Sequence, residues 1–380
     1  MPNSSKHIMV VAGETSGDLH AARLVQEIQQ LEPSITFSGL GGQHLAACGV
    51  KLDADLTEFA VIGFVEVLKH LGEFRKFFYQ FLENVRIRKP SVVLLVDYPG
   101  FNLRLAKALK KMGVKVVYYI SPQVWAWKAG RIKLIERVTD HMMVLFKFEK
   151  KFYEDRGVHV EFVGHPLVDE VHSSVSKEHF LSRIGLRADH PVFGLVPGSR
   201  TREIETLLPP MLGAAELIAQ KVPHAQFILT QAPNITTEQI HSHIKNSSVP
   251  LKIVYGDFYN AVNACDMCVV TSGTATLETA LLEKPMVIIY KTAFLTYILG
   301  RLIIKIKNIG LANIVSGETV VPECLQQQVS PENISHKLLE IYQDPEKFRQ
   351  TKTKLQRTRQ ILGQPGASRR AAEIVLAAIA

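Results

Sequence analysis

The chain has 380 residues, 47% of them hydrophobic and 21% charged, so it is too long for one ordinary core and too apolar for a disordered chain. A net charge of +8 favours anionic partners, such as phosphates, nucleic acid or an acidic membrane surface, as much as it favours solubility. The sequence lacks the ~18 uninterrupted apolar residues of a membrane span and the features of a signal peptide. We therefore expect a cytoplasmic protein of two domains.

Strand and helix predictions alternate through the first half of the chain. Short β-branched runs are separated by stretches of helical periodicity, a pattern typical of parallel βαβ units. Strands are predicted at 7–12, 35–40, 92–96, 114–120, 141–145 and 160–163. Helices are predicted at 19–31, 74–88 and 103–112. Residues 1–170 are therefore expected to form a Rossmann-like domain.

A second series of the same kind follows residues 171–190, which we interpret as an inter-domain linker after a Gly-His-Pro turn. Strands are predicted at 192–196, 226–230, 251–255, 267–271 and 286–290, and helices at 207–220, 258–264 and 275–282. Residues 191–365 would form the second domain, and Ser368 would cap a terminal helix within 366–380. The fold class is α/β, with two facing Rossmann-like domains and a cleft between them.

The four cysteines do not indicate a metal site. Cys265 and Cys268 form a C-x-x-C within the apolar run CDMCVVTS, but no second pair or histidine lies at ligand spacing. Cys48 and Cys324 stand alone in the sequence. We expect the C-x-x-C pair to pack in a core, and we expect no metal.

The loops after the strands are where an open parallel sheet binds its ligand. The first loop holds Glu14, Ser16 and Asp18 at the start of a helix. The loop either binds a negatively charged group of a ligand at the helix N-terminus or only forms a tight turn. The second strand ends without the acidic residue of a nicotinamide dinucleotide site, so dinucleotide binding is not expected. Asp97 follows the strand 92–96 and either points into the cleft or caps the next helix.

Both tryptophans of the chain, Trp125 and Trp127, lie in the segment SPQVWAWK at 121–128. An aromatic pair in a loop at the carboxyl end of a strand either covers a sugar or acyl chain or packs over the core.

Two loops of the second domain suit a nucleotide diphosphate. Ser199 and Arg200 follow its first strand in PGSR, which provides a clamp for a phosphate. The segment SGTATLE opens a helix whose backbone N–H groups and hydroxyls suit a pyrophosphate, although such residues are also ordinary caps. Its candidate ligands are Ser272, Gly273, Thr274 and Thr276, with Glu278 for the ribose hydroxyls.

Two apolar stretches carry basic residues, at 59–71 and 294–307. Such segments either lie in a membrane interface or form a buried helix with a solvated edge. The residues that would face a membrane are Val61, Ile62, Phe64, Val65 and Leu68, beside Lys69, Arg75 and Lys76.

Taken in order, these motifs resemble the lipid-A-disaccharide synthase family across nearly the whole chain. The resemblance is carried by GETSGD (13–18), DYPGFN (97–102), SPQVWAW (121–127), GHP (164–166), PGSR (197–200) and SGTATLE (272–278). The segment QVWAW is the most specific, whereas SGTATLE is shared more widely among glycosyltransferases with two Rossmann domains. Tyr98 and Gly100 fill positions that vary in the family.

The resemblance implies the GT-B fold, with the acceptor on the first domain and the UDP-sugar on the second. The implied reaction joins UDP-2,3-diacylglucosamine to 2,3-diacylglucosamine 1-phosphate through a β-1,6 linkage and releases UDP, without a metal or cofactor. Inversion fits a single displacement with Asp97 as general base and Arg200 and the helix near Thr274 holding the leaving diphosphate. Asn313 matches another position linked to the family's function, which we assign to the donor site. Glu14, Ser16, Asp18, Trp125 and Trp127 are assigned to the acceptor side.

The resemblance also implies a homodimer with exchanged C-terminal segments, at the inner face of a bacterial inner membrane. Two other functions fit parts of the pattern. A UDP-N-acetylglucosamine 2-epimerase shares the layout and the UDP loops but needs no membrane-facing segment. A nucleic-acid-binding protein explains the charge, yet the basic residues are scattered and no nucleic-acid motif is present, so we expect no nucleic-acid partner.

Overall fold

The computed structural model describes residues 6–57, 71–127, 129–245, 247–292 and 308–380, with the side chains of residues 71, 126, 127 and 129 excepted. Both apolar stretches, including Val61, Ile62, Phe64, Val65 and Leu68, therefore lie wholly or almost wholly outside the described residues. The chain forms two compact units. The first runs to Pro166 and takes up Gly363–Ala380, and the second is Leu167–Leu362.

The first unit alternates strands and helices. In chain order they are β1 (His7–Ala12), α1 (Thr15–Leu31), β2 (Thr36–Gly41), α2 (Gln43–Ala47), β3 (Lys51–Asp55), α3 (Leu71–Arg88), β4 (Val92–Val96), α4 (Pro99–Lys111), β5 (Val116–Tyr119), α5 (Val124–Trp127), α6 (Ile132–Val138), β6 (His141–Val144), α7 (Lys147–Glu154) and β7 (Glu161–Phe162).

The second unit repeats the alternation, and the last helix of the chain returns to the first unit. The elements are α8 (Leu167–Glu170), α9 (Lys177–Arg183), β8 (Val192–Val196), α10 (Thr201–Lys221), β9 (Gln226–Gln231), α11 (Thr237–Ile244), β10 (Leu251–Tyr255), α12 (Phe258–Ala264), β11 (Met267–Thr271), α13 (Thr274–Leu281), β12 (Met286–Tyr290), α14 (Leu311–Ser316), β13 (Glu323–Leu325), α15 (Pro331–Tyr342), α16 (Pro345–Ile361) and α17 (Ala367–Ile379).

Both sheets have a doubly wound order, and every described strand pairing is parallel. The order is β3-β2-β1-β4-β5-β6-β7 in the first unit and β10-β9-β8-β11-β12-β13 in the second. Chain direction across the sheet therefore reverses between β1 and β4 and between β8 and β11. Ligands bind at the carboxyl ends of strands at such a switch point, so each unit has one predicted binding edge.

The strands at these switch points are the centre of each core. Every residue of β4 and of β11 is buried, as expected for central strands covered by helices on both faces. Cys265 and Cys268 are buried free thiols, and a Cβ added to Gly194 on β8 would lie 2.9 and 2.8 Å from their sulfurs. The expected packing role of the C-x-x-C pair is confirmed.

The segment expected as a linker, residues 171–190, is part of the second unit. Helix α9 lies within it, and Phe180 and Leu181 of that helix are buried in the same apolar cluster as Val192 and Val196 of β8. The linker prediction is wrong because burying these two apolar side chains is more favourable in free energy than exposing them to water in a linker.

The predicted cap of the terminal helix is also wrong. Helix α17 begins at Ala367 after Gly366, whose φ of +91° favours glycine, so Ser368 lies inside the first turn. The helix packs against α1 of the first unit. Among the described residues, no helix is both long and apolar enough to span a bilayer.

Candidate catalytic and nucleotide-binding residues

The switch point of the first unit places Asp97 beside the loop after β1. Asp97 directly follows β4, and both Asp97 and Tyr98 have left-handed backbones, with φ of +47° and +48°. A Cβ on Gly13 would lie 2.2 Å from the Tyr98 ring, so only glycine admits that ring at this position. The two loops are thus packed directly against one another.

Asp97 does not cap the following helix. The N-cap of α4 is Tyr98, and no side chain caps this helix. Instead, Asn102 lies on the first turns of α4 and donates its Nδ2 proton to the Asp97 carbonyl at 2.8 Å. The cap alternative is therefore not what the structure shows.

The carboxyl of Asp97 titrates near neutral pH. Burial raises its pKa to about 7, the charge of Glu14 adds to this rise, and a hydrogen bond from the Tyr98 amide opposes it. Glu14 and Ser16 are exposed at the start of α1. A carboxyl with this pKa suits a general base at neutral pH.

Asp18, assigned to the acceptor side from the sequence, has a structural role. It is 1% exposed, and its two oxygens accept hydrogen bonds from the Gly42 amide at 2.7 Å and the His44 amide at 2.9 Å. These amides lie at the start of α2, whose orphan N–H groups need an acceptor. These hydrogen bonds give Asp18 a structural role, and its assignment to the acceptor side stays a prediction.

Trp125 is held by a buried glutamate that the sequence did not single out. Its Nε1 donates to Glu149 Oε1 at 3.2 Å, and its ring meets Phe148 edge-on with 5.0 Å between centroids. Burial raises the pKa of Glu149 to about 8, although hydrogen bonds from Phe146, Trp125 and Leu145 oppose the rise. Trp127 lies on α5, but its side chain is outside the described residues.

The second unit contains a cavity of about 450 Å³ at its own switch point. It brings together most of the residues assigned to the donor site from the sequence, namely Ser199, Arg200, Ser272, Gly273, Thr274 and Glu278. It also includes residues that sequence reasoning missed: Glu203, Thr230, Gln231, Gly256, Phe258 and Tyr259. Thr230 and Gln231 end β9, and Gly256 directly follows β10. The carboxyl ends of these strands would have been a signal for them.

The phosphate clamp predicted at PGSR is already occupied by a carboxylate. Glu203 Oε2 accepts from the Ser199 amide at 3.0 Å and the Arg200 amide at 3.2 Å. Glu203 Oε1 accepts from Arg200 Nη1 at 2.8 Å, while the Arg200 side chain remains 79% exposed. The backbone half of the predicted clamp is thus filled by the protein, and the guanidinium is left to contact a ligand.

The start of α13 provides the second anion-binding feature of the cavity. Gly273 is the N-cap, and no side chain caps the helix. A helix of this kind presents backbone N–H groups and a positive dipole end to a negative ligand. Thr276 is different: it is fully buried and donates its hydroxyl to the Gly273 carbonyl at 2.8 Å. That hydroxyl shapes the turn, and Thr276 is not among the residues that line the cavity, so its contact with a ligand stays a prediction.

Glu278 lies one turn further along α13. Its Oε1 accepts a hydrogen bond from the Tyr259 hydroxyl at 3.0 Å. Burial raises the pKa of Glu278, and this hydrogen bond opposes the rise. The side chain is partly accessible at the cavity and has acceptor capacity for hydroxyl groups.

Asn313, also assigned to the donor site, lies in the core of the second unit and not at the cavity. It is 0% exposed. Its Nδ2 donates to the Val321 carbonyl at 2.9 Å and to Glu323 Oε1 at 2.8 Å. Its Oδ1 accepts from the amides of Val320 and Val321 at 2.8 and 3.0 Å. The whole amide is thus used to hold the turn before β13, and the assignment of Asn313 to the donor site stays a prediction.

Two doubly wound units with parallel sheets define the GT-B class of fold. Solved structures with this fold include UDP-GlcNAc 2-epimerase from Neisseria meningitidis bound to UDP-GlcNAc, with a TM-score of 0.66, 14% identity, and coverage of 98% of this chain and 100% of that one. A sucrose-phosphate synthase from Thermosynechococcus elongatus matches with a TM-score of 0.59, 12% identity, and coverage of 98% and 99%. At these identities the likeness shows the fold alone.

The family follows from sequence comparison. The family model described as lipid-A-disaccharide synthetase matches residues 8–378. A lipid-A-disaccharide synthase from Geobacter metallireducens is 44% identical over 372 residues, which cover 98% of this chain and 97% of the relative. A lipid-A-disaccharide synthase from Syntrophus aciditrophicus is 43% identical, with coverage of 99% and 98%. The chain belongs to the lipid-A-disaccharide synthetase family and is a glycosyltransferase.

Proposed function

We propose that the enzyme transfers 2,3-diacylglucosamine from its UDP donor to the 6-hydroxyl of 2,3-diacylglucosamine 1-phosphate. The products are the β-1,6-linked disaccharide 1-phosphate and UDP. The observation that carries the proposal is the Asp97 carboxyl at the end of β4, with a pKa raised to about 7 in a unit of the expected fold. Family membership supplies the substrate class.

The chemical step is a single displacement. Asp97 accepts the proton of the acceptor hydroxyl as that oxygen forms a bond to C1 of the donor sugar. The bond between C1 and the diphosphate oxygen breaks, and its electron pair leaves with UDP. The configuration at C1 is inverted because the new bond forms on the face opposite the leaving group.

The donor would bind in the cavity of the second unit. The start of α13 would hold the diphosphate, with the Arg200 guanidinium adding positive charge as UDP departs. Glu278 would accept hydrogen bonds from the ribose hydroxyls. The arrangement supports this placement because Arg200, Gly273 and Glu278 line one cavity.

The enzyme would work at the cytoplasmic surface of a membrane, since both substrates carry acyl chains. Val61, Ile62, Phe64, Val65 and Leu68 remain the proposed membrane-facing residues. Support comes from helix α3, which begins directly after that stretch and exposes Arg75, Lys76 and Tyr79. Cationic and aromatic side chains together are typical of an interface with anionic lipid. A homodimer is part of the same proposal.

The proposal is tested by incubating the enzyme with both acylated sugars and analysing the products by mass spectrometry. We expect a disaccharide monophosphate that forms only with the UDP donor, and one UDP for each disaccharide. UDP-N-acetylglucosamine alone should give no 2-epimer. Epimerisation without any disaccharide formation would contradict the proposal.

A further inference from the structure

Two buried side chains donate hydrogen bonds to one backbone carbonyl, that of Asp97. The Tyr118 hydroxyl, on β5, lies 2.5 Å from this oxygen, and Asn102 Nδ2, on α4, lies 2.8 Å from it. Asn102 Nδ2 also reaches the Val96 carbonyl at 3.1 Å. Tyr118 and Asn102 are both 0% exposed, so neither hydroxyl nor amide has water as an alternative partner.

The carbonyl they hold belongs to a strained stretch of backbone. Asp97 and Tyr98 are consecutive non-glycine residues in the left-handed region, which costs energy and persists only where the surroundings enforce it. The Asp97 amide is fixed as well, because it donates to the Tyr119 carbonyl at 2.9 Å. The peptide groups on both sides of the Asp97 Cα are therefore clamped.

Clamping both peptide groups sets the direction in which the Asp97 side chain leaves the backbone. The Cβ of Asp97 lies 3.9 Å from the position that a Cβ on Gly17 would take, at the first turn of α1. We propose that Tyr118 and Asn102 are positioning residues for the reaction: they hold Asp97 in its left-handed conformation and so aim its carboxyl at the acceptor hydroxyl. This inference rests on the proposed role of Asp97 as general base.

Charged and titratable groups surround Asp97, so a loss of the hydrogen bonds from Tyr118 and Asn102 can be detected as a change in the pKa of its carboxyl. Glu14 acts on Asp97 from the loop after β1, the Tyr98 amide donates to it, and the charges of Asp97 and Glu149 on α7 repel one another. Tyr118 has a pKa raised well above its usual range by burial, and the Asp97 charge adds to that. If these hydrogen bonds are lost and the carboxyl turns toward water, Asp97 becomes more exposed and its pKa falls toward its ordinary value.

The test measures pH–rate profiles of four variants beside the wild type. Tyr118→Phe removes one donor without changing ring size, and Asn102→Ala removes the other. Tyr153→Phe is the matched control, since it removes a buried hydroxyl that bonds Ser121 Oγ at 2.9 Å and does not contact Asp97. Asp97→Asn reports on the base itself. Circular dichroism and thermal melts establish that each variant is folded.

We expect Tyr118→Phe to lower kcat by ~10–100-fold with KM nearly unchanged, because a misplaced base slows the chemical step without weakening binding. The acidic limb of its profile should move to lower pH, and Asn102→Ala should show both effects. Tyr153→Phe should keep the wild-type kcat, and the acidic limb of its pH–rate profile should lie at the same pH as that of the wild type.

Wild-type kcat and an unmoved acidic limb in both donor variants would overturn the proposal. Equal losses in Tyr118→Phe and Tyr153→Phe with unmoved limbs would also overturn it, because general loosening of the core would then explain the loss. Wild-type turnover in Asp97→Asn would instead refute the proposed general base, whatever the donor variants show.

Discussion

Asp97 shows how burial brings the pKa of an ordinary carboxyl close to neutral pH. Its pKa is raised to about 7 chiefly by burial, and that of Glu149 to about 8 for the same reason. Glu149, however, accepts hydrogen bonds from the Leu145 and Phe146 amides and from Trp125, whereas the Asp97 carboxyl lies beside exposed Glu14. The two carboxyls thus have different environments, and Asp97 is the one available to a substrate.

The pH dependence of turnover should report this pKa. A general base acts only when ionised, so the rate should fall as the pH drops below about 7. Glu14→Gln removes a negative charge that raises the pKa of Asp97, so its acidic limb should lie at lower pH than that of the wild type. The pH–rate profile of kcat measures this shift. Glu32→Gln, an exposed change at the other end of α1, is the control. A limb that does not move in Glu14→Gln would contradict the assignment.

Asn313 illustrates a residue whose position in a motif does not reveal its role. Asn313→Ala leaves the Val320 and Val321 amides without their acceptor. It also removes one of the hydrogen bonds to the Glu323 carboxylate, which keeps those from the Ile309 and Gly310 amides. The free energy of unfolding should fall by roughly 3 kcal/mol, while UDP affinity of the folded protein stays the same.

Denaturant unfolding and calorimetry with UDP measure these two quantities for Asn313→Ala. Asn308→Ala, which removes a single hydrogen bond from Thr319, is the matched control and should cost under ~1 kcal/mol. Lost UDP affinity with unchanged stability would return Asn313 to the donor site.

The sequence singled out Asp97, Arg200 and Glu278 because each follows or begins a predicted element at the binding edge. It missed Glu203 and Glu149 because a glutamate in the first turn of a helix is common and ordinarily only caps the helix. The contact between Glu149 and Trp125 comes from tertiary packing, which the sequence does not show. The left-handed backbone at Asp97 and Tyr98 was also not predicted. Aspartate adopts this conformation more often than most residues, but neither residue type specifies it.

At the level of helices and loops, the start of α13 and the loop after β8 line one cavity, the proposed donor site. Arg200→Ala and Glu278→Ala should each weaken UDP binding by roughly 1.5–3 kcal/mol, the usual contribution of a charge-assisted hydrogen bond. Isothermal calorimetry with UDP alone measures the loss. Arg202→Ala is the control, because Arg202 is exposed on α10 and is not among the residues of the cavity.

A UDP analogue without ribose hydroxyls distinguishes the proposed role of Glu278 from that of Arg200. With 2′,3′-dideoxyuridine diphosphate the penalty of Glu278→Ala should vanish, whereas that of Arg200→Ala should persist. Unchanged UDP affinity in both variants would refute the donor site.

For apolar, β-branched strands the sequence predicted the same first and last residues as the structure has, as for β1, β4, β8 and β11. Strand β3 was not, because its sequence KLDAD alternates charged residues and only the edge of the sheet accommodates it. Helix α16 was also missed, since it buries only Thr351, Leu355 and Thr358 and so shows little apolar periodicity.

At the scale of the whole molecule, the chain does not divide into two consecutive domains. Its end returns to the first unit, where α17 packs on α1 and Arg370 Nε donates to the Val163 carbonyl at 2.8 Å. The sequence predicted the helix but not where it packs, because an apolar helix face does not specify its partner.

The return of α17 predicts that a change near the C-terminus destabilises the N-terminal unit. Val375→Asp places a charge among the buried side chains of α17 and should cost roughly 3 kcal/mol or more. Hydrogen exchange should show lost protection in α1 and β5, with β8 and β9 of the second unit as internal reference. Ala377→Asp on the exposed face is the matched control. Equal loss of protection in both units would contradict this division.

In the proposed mechanism, Asp97 of the first unit performs the chemistry while the second unit binds the donor nucleotide. The most direct measurement compares turnover and UDP affinity in Asp97→Asn and the wild type. Asparagine keeps the size of the side chain but cannot accept the proton, so we expect turnover to fall by ~10²–10⁴ with UDP affinity nearly unchanged. Near-normal turnover in a correctly folded Asp97→Asn enzyme would contradict the account.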